Sequence, residues 1–312
     1  MNYASLKIPG QMALYAVFIL LLAGCSTLPE QPDEIRTSRD RADQYAEYGD
    51  NYYRRGQFTQ ARNFYVLALN MARSVESHEQ SARLHNSIGQ TWQAQGELGQ
   101  ARQQYLEAER IAIRAGNPRL EADSVNNLGK VLIDQGDHGE SIDLFEKAIE
   151  LLPEENEDAR REAVIRHNLG TALAGINELD EARSQLEWAR DTNERLNYRL
   201  ELASNYYMLA SIESRQGNFA AAYENARRAL EFDRAMENTR GIMSDLRALS
   251  DISLRMNRRE QALEYLDRAI RVAAGAADNA AERSLLEDAV QLAVELERED
   301  EADVYEERLD SL

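Results

Sequence analysis

From about residue 41 onward the chain repeats one pattern of small, apolar and polar positions. The segments YGDNYYRRGQFTQARNFYVLAL, IGQTWQAQGELGQARQQYLEAE and LGKVLIDQGDHGESIDLFEKAI align without a gap. Each carries a small residue, a second glycine seven positions on, then Ala, an aromatic and Ala at helical intervals. These are Gly49, Gly56, Ala61, Tyr65 and Ala68 in the first; Gly89, Gly96, Ala101, Tyr105 and Ala108 in the second; Gly129, Gly136, Ser141, Phe145 and Ala148 in the third. Fainter copies follow with Gly170, Asn177, Ala182, Leu186 and Ala189, with Ala210, Gly217, Ala222, Ala226 and Ala229, and with Ser250, Asn257, Ala262, Leu266 and Ala269. The residue after the turn falls at 61, 101, 141, 182, 222, 262 and 302, a period of 40 with a single step of 41. Each unit predicts two helices. The first ends at the second glycine or at Asn177 or Asn257, residues that tolerate a left-handed backbone. The small position lets the second helix bring its aromatic close.

The arrangement resembles the tetratricopeptide repeat over roughly residues 40–310. The resemblance implies an all-α, right-handed superhelical solenoid of antiparallel helix pairs. The repeats are longer than the common 34-residue form by about 1.7 helical turns in total. In this they resemble the repeats of kinesin light chains and of polarity and pheromone-sensor proteins. Turns between units are legible at AGNP (115–118), LPEEN (152–156) and AAGAADN (273–279), and the repeat region places its prolines, Pro118 and Pro153, in two of them. Six repeats are expected over 41–280. Residues 281–312 read as a degenerate seventh unit with acidic capping helices, twelve acids against three arginines, because the end of a solenoid must cover its last apolar face with something soluble.

Ahead of the repeats, residues 12–23 form an uninterrupted apolar run after Lys7. A helix of that length reaches only about 18 Å, too short to span a bilayer and suited to a signal peptide. It ends in Leu22-Ala23-Gly24-Cys25, which resembles the lipobox of bacterial lipoproteins. The resemblance implies cleavage after residue 24 and a covalent lipid on Cys25, the one cysteine of the chain. A diacylglycerol plus an amide-linked chain suffices for stable anchoring, where one chain does not. Ser26 rather than Asp follows the cysteine, and by analogy with enteric lipoprotein sorting this implies the periplasmic leaflet of the outer membrane. Residues 25–40, with Pro29 and Pro32 and no apolar periodicity, read as lipidated cysteine and extended tether.

Charge and chemistry narrow the function. The 312 residues carry 55 acids against 36 basic residues, net −19, so a broad nucleic-acid surface is not expected. A lone cysteine excludes an internal disulfide and a thiolate zinc cluster. His78, His85, His138 and His167 never fall at ligand spacing, and no nucleophile elbow, phosphate loop or dinucleotide fingerprint occurs. The chain therefore reads as a binding protein, not an enzyme, with no metal and no cofactor beyond the lipid. The resemblance places a binding surface on the concave face, lined mainly by first helices. The matching positions are Asn86, Gln90, Asn126, Asn127, Lys130, His167, Asn168, Thr171, Tyr207, Arg215, Arg247 and Arg255. A ladder of Asn side chains, each donor and acceptor, suits an extended peptide backbone. The family's two-carboxylate clamp is not reproduced, since Lys130 and Asn127 are isolated matches. Tyr45, Tyr48, Tyr52, Tyr53 and Tyr65 crowd the first repeat; packing accounts for most, with Tyr53 expected to face a ligand.

The expected partners are thus other proteins or extended peptides, with the membrane reached through the lipid. The expected role is a scaffold or adaptor in envelope assembly, similar in layout to pilus-biogenesis pilotins, to lipoproteins that recruit cell-wall hydrolases, and to the helical-repeat lipoprotein of the outer-membrane insertion machine. Two rivals stand beside it. One is a solute- or lipid-binding accessory lipoprotein of a transporter, which predicts a closed apolar pocket. The other is a regulatory subunit that touches an enzyme through its convex face.

Overall fold

The computed structural model describes residues 33–153 and 158–312. The expected signal peptide, the expected lipidation site Cys25 and most of the expected tether lie outside the described residues. Fourteen helices, and no strand among the described residues, follow one another in seven antiparallel pairs. The pairs are α1 (Asp33–Arg54) with α2 (Phe58–Ser74), α3 (His78–Ala94) with α4 (Leu98–Ala115), and α5 (Pro118–Gln135) with α6 (His138–Glu150). They continue with α7 (Ala159–Gly175) and α8 (Leu179–Leu196), α9 (Arg199–Arg215) and α10 (Phe219–Ala235), α11 (Thr239–Arg255) and α12 (Arg259–Gly275), and α13 (Asn279–Glu295) and α14 (Glu299–Asp310). First helices of neighbouring central units touch directly, while second helices make no comparable contact with one another. The stack therefore curves with its first helices inside.

The turns are built alike. A left-handed residue closes nearly every described helix: Gly56, Glu76, Gly96, Gly116, Gly136, Asn177, Asn197, Gly217, Glu237, Asn257, Ala277 and Glu297, with φ between 53° and 88°. Both asparagines expected in this role adopt it, Asn177 at φ 70° and Asn257 at φ 60°. The AGNP turn shows the chemistry: Gly116 takes the left-handed cap, Asn117 accepts the Leu120 amide at 3.1 Å through Oδ1, and Pro118 opens α5 where no amide is needed.

Within a pair, glycine and ring are complementary. A Cβ on Gly129 would lie 2.7 Å from the Phe145 ring, and one on Gly170 2.7 Å from Leu186 Cγ. Gly49 faces Tyr65 and Gly89 faces Tyr105 in the same way. Ala61, Ala101, Ser141, Ala182, Ala222 and Ala262 are wholly buried one turn earlier in each second helix. Tyrosine can fill this site because its hydroxyl finds a partner at the rim: Tyr65 donates to Asp50 at 2.7 Å and Tyr105 to Gln93 at 2.8 Å.

One boundary differs from the sequence reading. Residues 33–40, expected in an extended tether, belong to α1. The helix carries on into the repeat, where Ala42 is fully buried, Gln80 donates to Asp43 at 2.5 Å, and Arg39 and Asp43 line a cavity with Glu76–Gln80. The seventh unit, faint in sequence, is a complete helix pair. Leu285, Leu286, Ala289 and Ala302 join a core that runs back to Ala210, and Arg308 Nε reaches the buried Glu282 Oε1 at 2.6 Å. Its marker glycine and aromatic are gone, but its leucines hold the pair closed.

Candidate protein-binding groove

Successive first helices meet along two different surfaces. From α3 to α9 the contact is an amide seam. Asn86 Nδ2 donates to Ser124 Oγ at 3.0 Å, Asn127 Nδ2 points to Asn86 Oδ1 at 3.4 Å, and Asn168 Nδ2 donates to Asn126 Oδ1 at 2.8 Å. Asn205 then donates to His167 Nδ1 at 3.0 Å and accepts from Asn193 Nδ2 at 2.8 Å. Buried polar groups must find partners, and here they find one another.

From α7 to α13 the inner face opens instead. A cavity of about 200 Å³ lies among Val164, His167, Leu200 and Ser204. The next, about 320 Å³, shares His167 and Ser204 with it and adds Tyr207, Asp233, Arg240, Gly241, Ser244 and Asp245. A third, about 420 Å³, shares Tyr207 and Ser244 and reaches Ser211, Arg215, Arg247 and Asp251. The fourth, about 190 Å³, shares Arg247 and Asp251 and ends at Asp288, Gln291 and Glu295. Shared walls make the four cavities one trough across the first helices of four units. Serines and alanines on the inner face leave it room. Ser204, Ser244 and Ser284 recur at the 40-residue period, a signal in the sequence for the open region.

Electrostatics differ along the trough. Burial, aided by the Lys130 charge, pulls His167 down to about 4, so its ring is neutral and Nδ1 is free to accept from Asn205. Burial also lowers Lys130, against the pull of Asp134. Asp251 is raised by burial, with Arg247 and Arg255 opposing and Asp288 adding to the shift. Tyr207, 38% exposed, is held above its usual range by burial and then by Asp245 and Asp251.

The positions expected to bind therefore separate. Asn86, Asn126 and Asn127 are buried, 6–7% exposed, and with half-buried Asn168 they lie in the seam. The idea of a free Asn ladder is corrected here. Seam-facing and groove-facing positions differ by one residue, about 100° on a helix, and the Asn positions turn toward the neighbouring helix. Gln90 and Lys130 are half-buried, and Thr171 Oγ1 bonds its own helix at His167 O, 3.0 Å. Arg215 reaches back to the end of α7, at 2.7 Å to Ala174 O and 3.1 Å to Asn177 Oδ1, while Arg247 pairs with Asp288 at 2.7 Å. Tyr207, Arg215 and Arg247 line the trough and His167 joins it to the seam; Arg255 is exposed at the end of α11. Tyr53 packs edge-on against Phe58 with centroids 5.3 Å apart, and Tyr45, Tyr48 and Tyr52 surround Phe64. Among the described residues no three His, Cys, Asp or Glu side chains are grouped to hold a metal ion, and no helix is long and apolar enough to cross a membrane.

Residues 49–240 match the profile of the MalT-like TPR region. The chain belongs to this TPR family. Beyond residue 240, α11 to α14 carry the TPR geometry on. Among solved structures, the TPR superhelix is similar to a Rap protein complexed with Competence and Sporulation Factor, with a TM-score of 0.65 at 17% identity over 98% of this chain and 87% of that one. It is also similar to a Pyrococcus horikoshii signal-transduction ATPase with a tetratricopeptide repeat sensor, TM-score 0.69 at 13% identity, covering 89% of this chain and 44% of that one. A third similar structure is PilW, a type IV pilus biogenesis factor, TM-score 0.57 at 15% identity over 78% and 98% of the two chains. No curated protein matches the chain in sequence.

Proposed function

We propose that this TPR protein is a membrane-tethered adaptor that holds an extended segment of a partner protein in the trough between α7 and α13. The observation that carries the reading is the trough itself: four cavities joined through His167, Ser204, Tyr207, Ser244, Arg247 and Asp251. Its run across the first helices of four units and its mixed polar and apolar wall suit a strand of polypeptide. A solute or lipid carrier calls for one enclosed apolar chamber, and the trough is instead walled by Arg, Asp, Ser and Tyr. The Rap complex and the pilus biogenesis factor share the fold and lend the binding role precedent at the level of fold alone.

The anchor in this reading is a lipid on Cys25, with the folded domain in the periplasm at the outer membrane and envelope assembly as the process served. Cys25→Ala then moves the protein from membrane to precursor or soluble fractions and abolishes labelling by radioactive palmitate; unchanged fractionation contradicts the anchor. For the groove, a photo-cross-linking residue at Ser211 is expected to capture a discrete partner in cells. Capture is lost when Ser244→Trp fills the junction of two cavities and is absent from a control position at Arg227 on α10. Adducts from Arg227 alone place the contact on the convex face and overturn the reading.

A further inference from the structure

The junction of the fifth and sixth units holds a side-chain pair unlike that of the junction before it. Between the fourth and fifth units Asn193, near the end of α8, donates to Asn205 on α9. One period on, the same two positions hold Asp233, near the end of α10, and Asp245 on α11. Two amides satisfy each other, whereas two carboxylates in contact repel unless a proton lies between them. Asp245 is 1% exposed, neither carboxyl oxygen accepts from a neighbouring donor group, and the Asp233 carboxyl is its hydrogen-bonding neighbour. Asp233 is 5% exposed, accepts from Asn238 Nδ2 at 2.8 Å, and rests over Gly241, where any Cβ would strike its Oδ2. One period either side of Gly241 stand Glu201 and Ala281, so this unit has cleared its first turn for a carboxylate. Both acids line the cavity of about 320 Å³ in the trough. The other charged or titratable groups on its wall are His167 from α7, Tyr207 from α9 and Arg240 from α11. Arg240 is exposed.

We propose that this cavity is the subsite for one basic side chain, a guanidinium or ammonium, of the bound segment, with Asp233 and Asp245 as its counter-charges. The assignment rests on the groove reading above. An organic cation is favoured over a metal ion because no third acid, His or Cys completes a metal cluster among the described residues. A guanidinium brings charge to both carboxylates and donors to Asp245, which has none. Burial first, and Asp233 beside it, hold the Asp245 carboxyl up to about 8. The empty pair therefore keeps a proton at neutral pH. Entry of the cation sends that proton to solvent, one proton out for one cation in, so binding tightens as pH rises toward 8.

The test is calorimetric titration of the full chain with blocked Gly-Ser hexapeptides that carry a single Arg, Lys, Glu or norleucine, alongside butylguanidinium followed by NMR. At pH 8 the Arg peptide is expected to bind about tenfold tighter than the norleucine peptide, the worth of one charge-assisted contact. The advantage shrinks at pH 6, the enthalpy tracks buffer ionisation as a released proton requires, and Asp245→Asn removes the preference. Asp233→Asn serves as the second variant should Asp245→Asn fail to fold. Equal affinity for Arg and norleucine on the wild type overturns the subsite, as does a preference that survives in a folded variant. If all peptides bind alike, the groove stands and the subsite falls. If butylguanidinium alone binds and is lost with Asp245→Asn, the subsite stands and the groove reading falls. If nothing binds, both fall.

Discussion

The inner face of this solenoid is one surface in sequence and two in structure. Between α3 and α9, neighbouring first helices are joined by amides, Asn86 to Ser124, Asn168 to Asn126 and Asn205 to His167. Between α9 and α13 the equivalent positions carry Tyr207 and Met208, then Arg247 and Ala248, and the space between these helices stays open. Polar residues on the concave side of a repeat protein thus serve two ends. Turned toward the next helix they fix the stacking of units, and turned inward they offer a surface. The turns follow the same division. Apart from Glu76, the described left-handed turns of the seam half use Gly or Asn, while the groove half includes Glu237, Ala277 and Glu297.

The seam can be broken where it is most connected. Asn205 is fully buried and bonds both Asn193 and His167. Asn205→Ala strands two partners and is expected to lower stability by about 2–3 kcal/mol, read as a fall in the denaturant midpoint at unchanged slope. A loss below about 0.5 kcal/mol would mean that the seam is decoration.

Acid attacks the same seam. The folded-state pKa of His167, about 4, lies below the ordinary 6.5, so between these values the unfolded chain binds more protons than the folded one. Stability from this group is complete above pH 6.5 and is lost as pH falls toward 4. Asp245 runs the other way. Its folded value of about 8 lies above the ordinary 3.8, so its contribution is complete below 3.8 and is lost as pH rises to 8. Melting curves from pH 4 to 8 should flatten on the acid side in His167→Asn and on the alkaline side in Asp245→Asn. Parallel curves for the variants and the wild type contradict both assignments.

A smaller effect separates the turns. Ala277 sits at φ 55°, a conformation that costs an L-residue about 1 kcal/mol relative to glycine. Ala277→Gly should raise stability by about that amount, whereas Ala substitution at Gly116 in the seam half should lower it by as much. Equal small effects at the two sites would remove the distinction between the turns.

Much of the fold was legible because its markers are local. Gly against an aromatic, Ala after the turn and the left-handed Gly or Asn all recur every 40 residues, and each answers to backbone geometry or close packing. The seventh pair was faint because leucine can replace those markers without altering the fold. The start of α1 was missed because residues 33–40 carry no apolar periodicity and hold Arg36, Arg39 and Asp40 instead. For the trough, four of the positions singled out in the sequence, His167, Tyr207, Arg215 and Arg247, line its cavities. It could not separate seam from trough, because one residue of rotation decides it. The Asp233–Asp245 pair was invisible for another reason: its members lie on different units and meet only when one unit stacks on the next.

The central claim is that the seam holds the solenoid and the trough binds. It is tested most directly by measuring the dissociation constant and melting temperature together for the wild type, Asn127→Ala/Asn168→Ala and Tyr207→Ala, with the peptide that binds best among the hexapeptides. The seam variant is expected to lose melting temperature and keep its affinity. Tyr207→Ala, at an exposed residue on two cavities, is expected to keep its stability within about 0.5 kcal/mol and weaken binding about tenfold. Weakened binding by the seam variant at full stability, with Tyr207→Ala silent, would contradict the account.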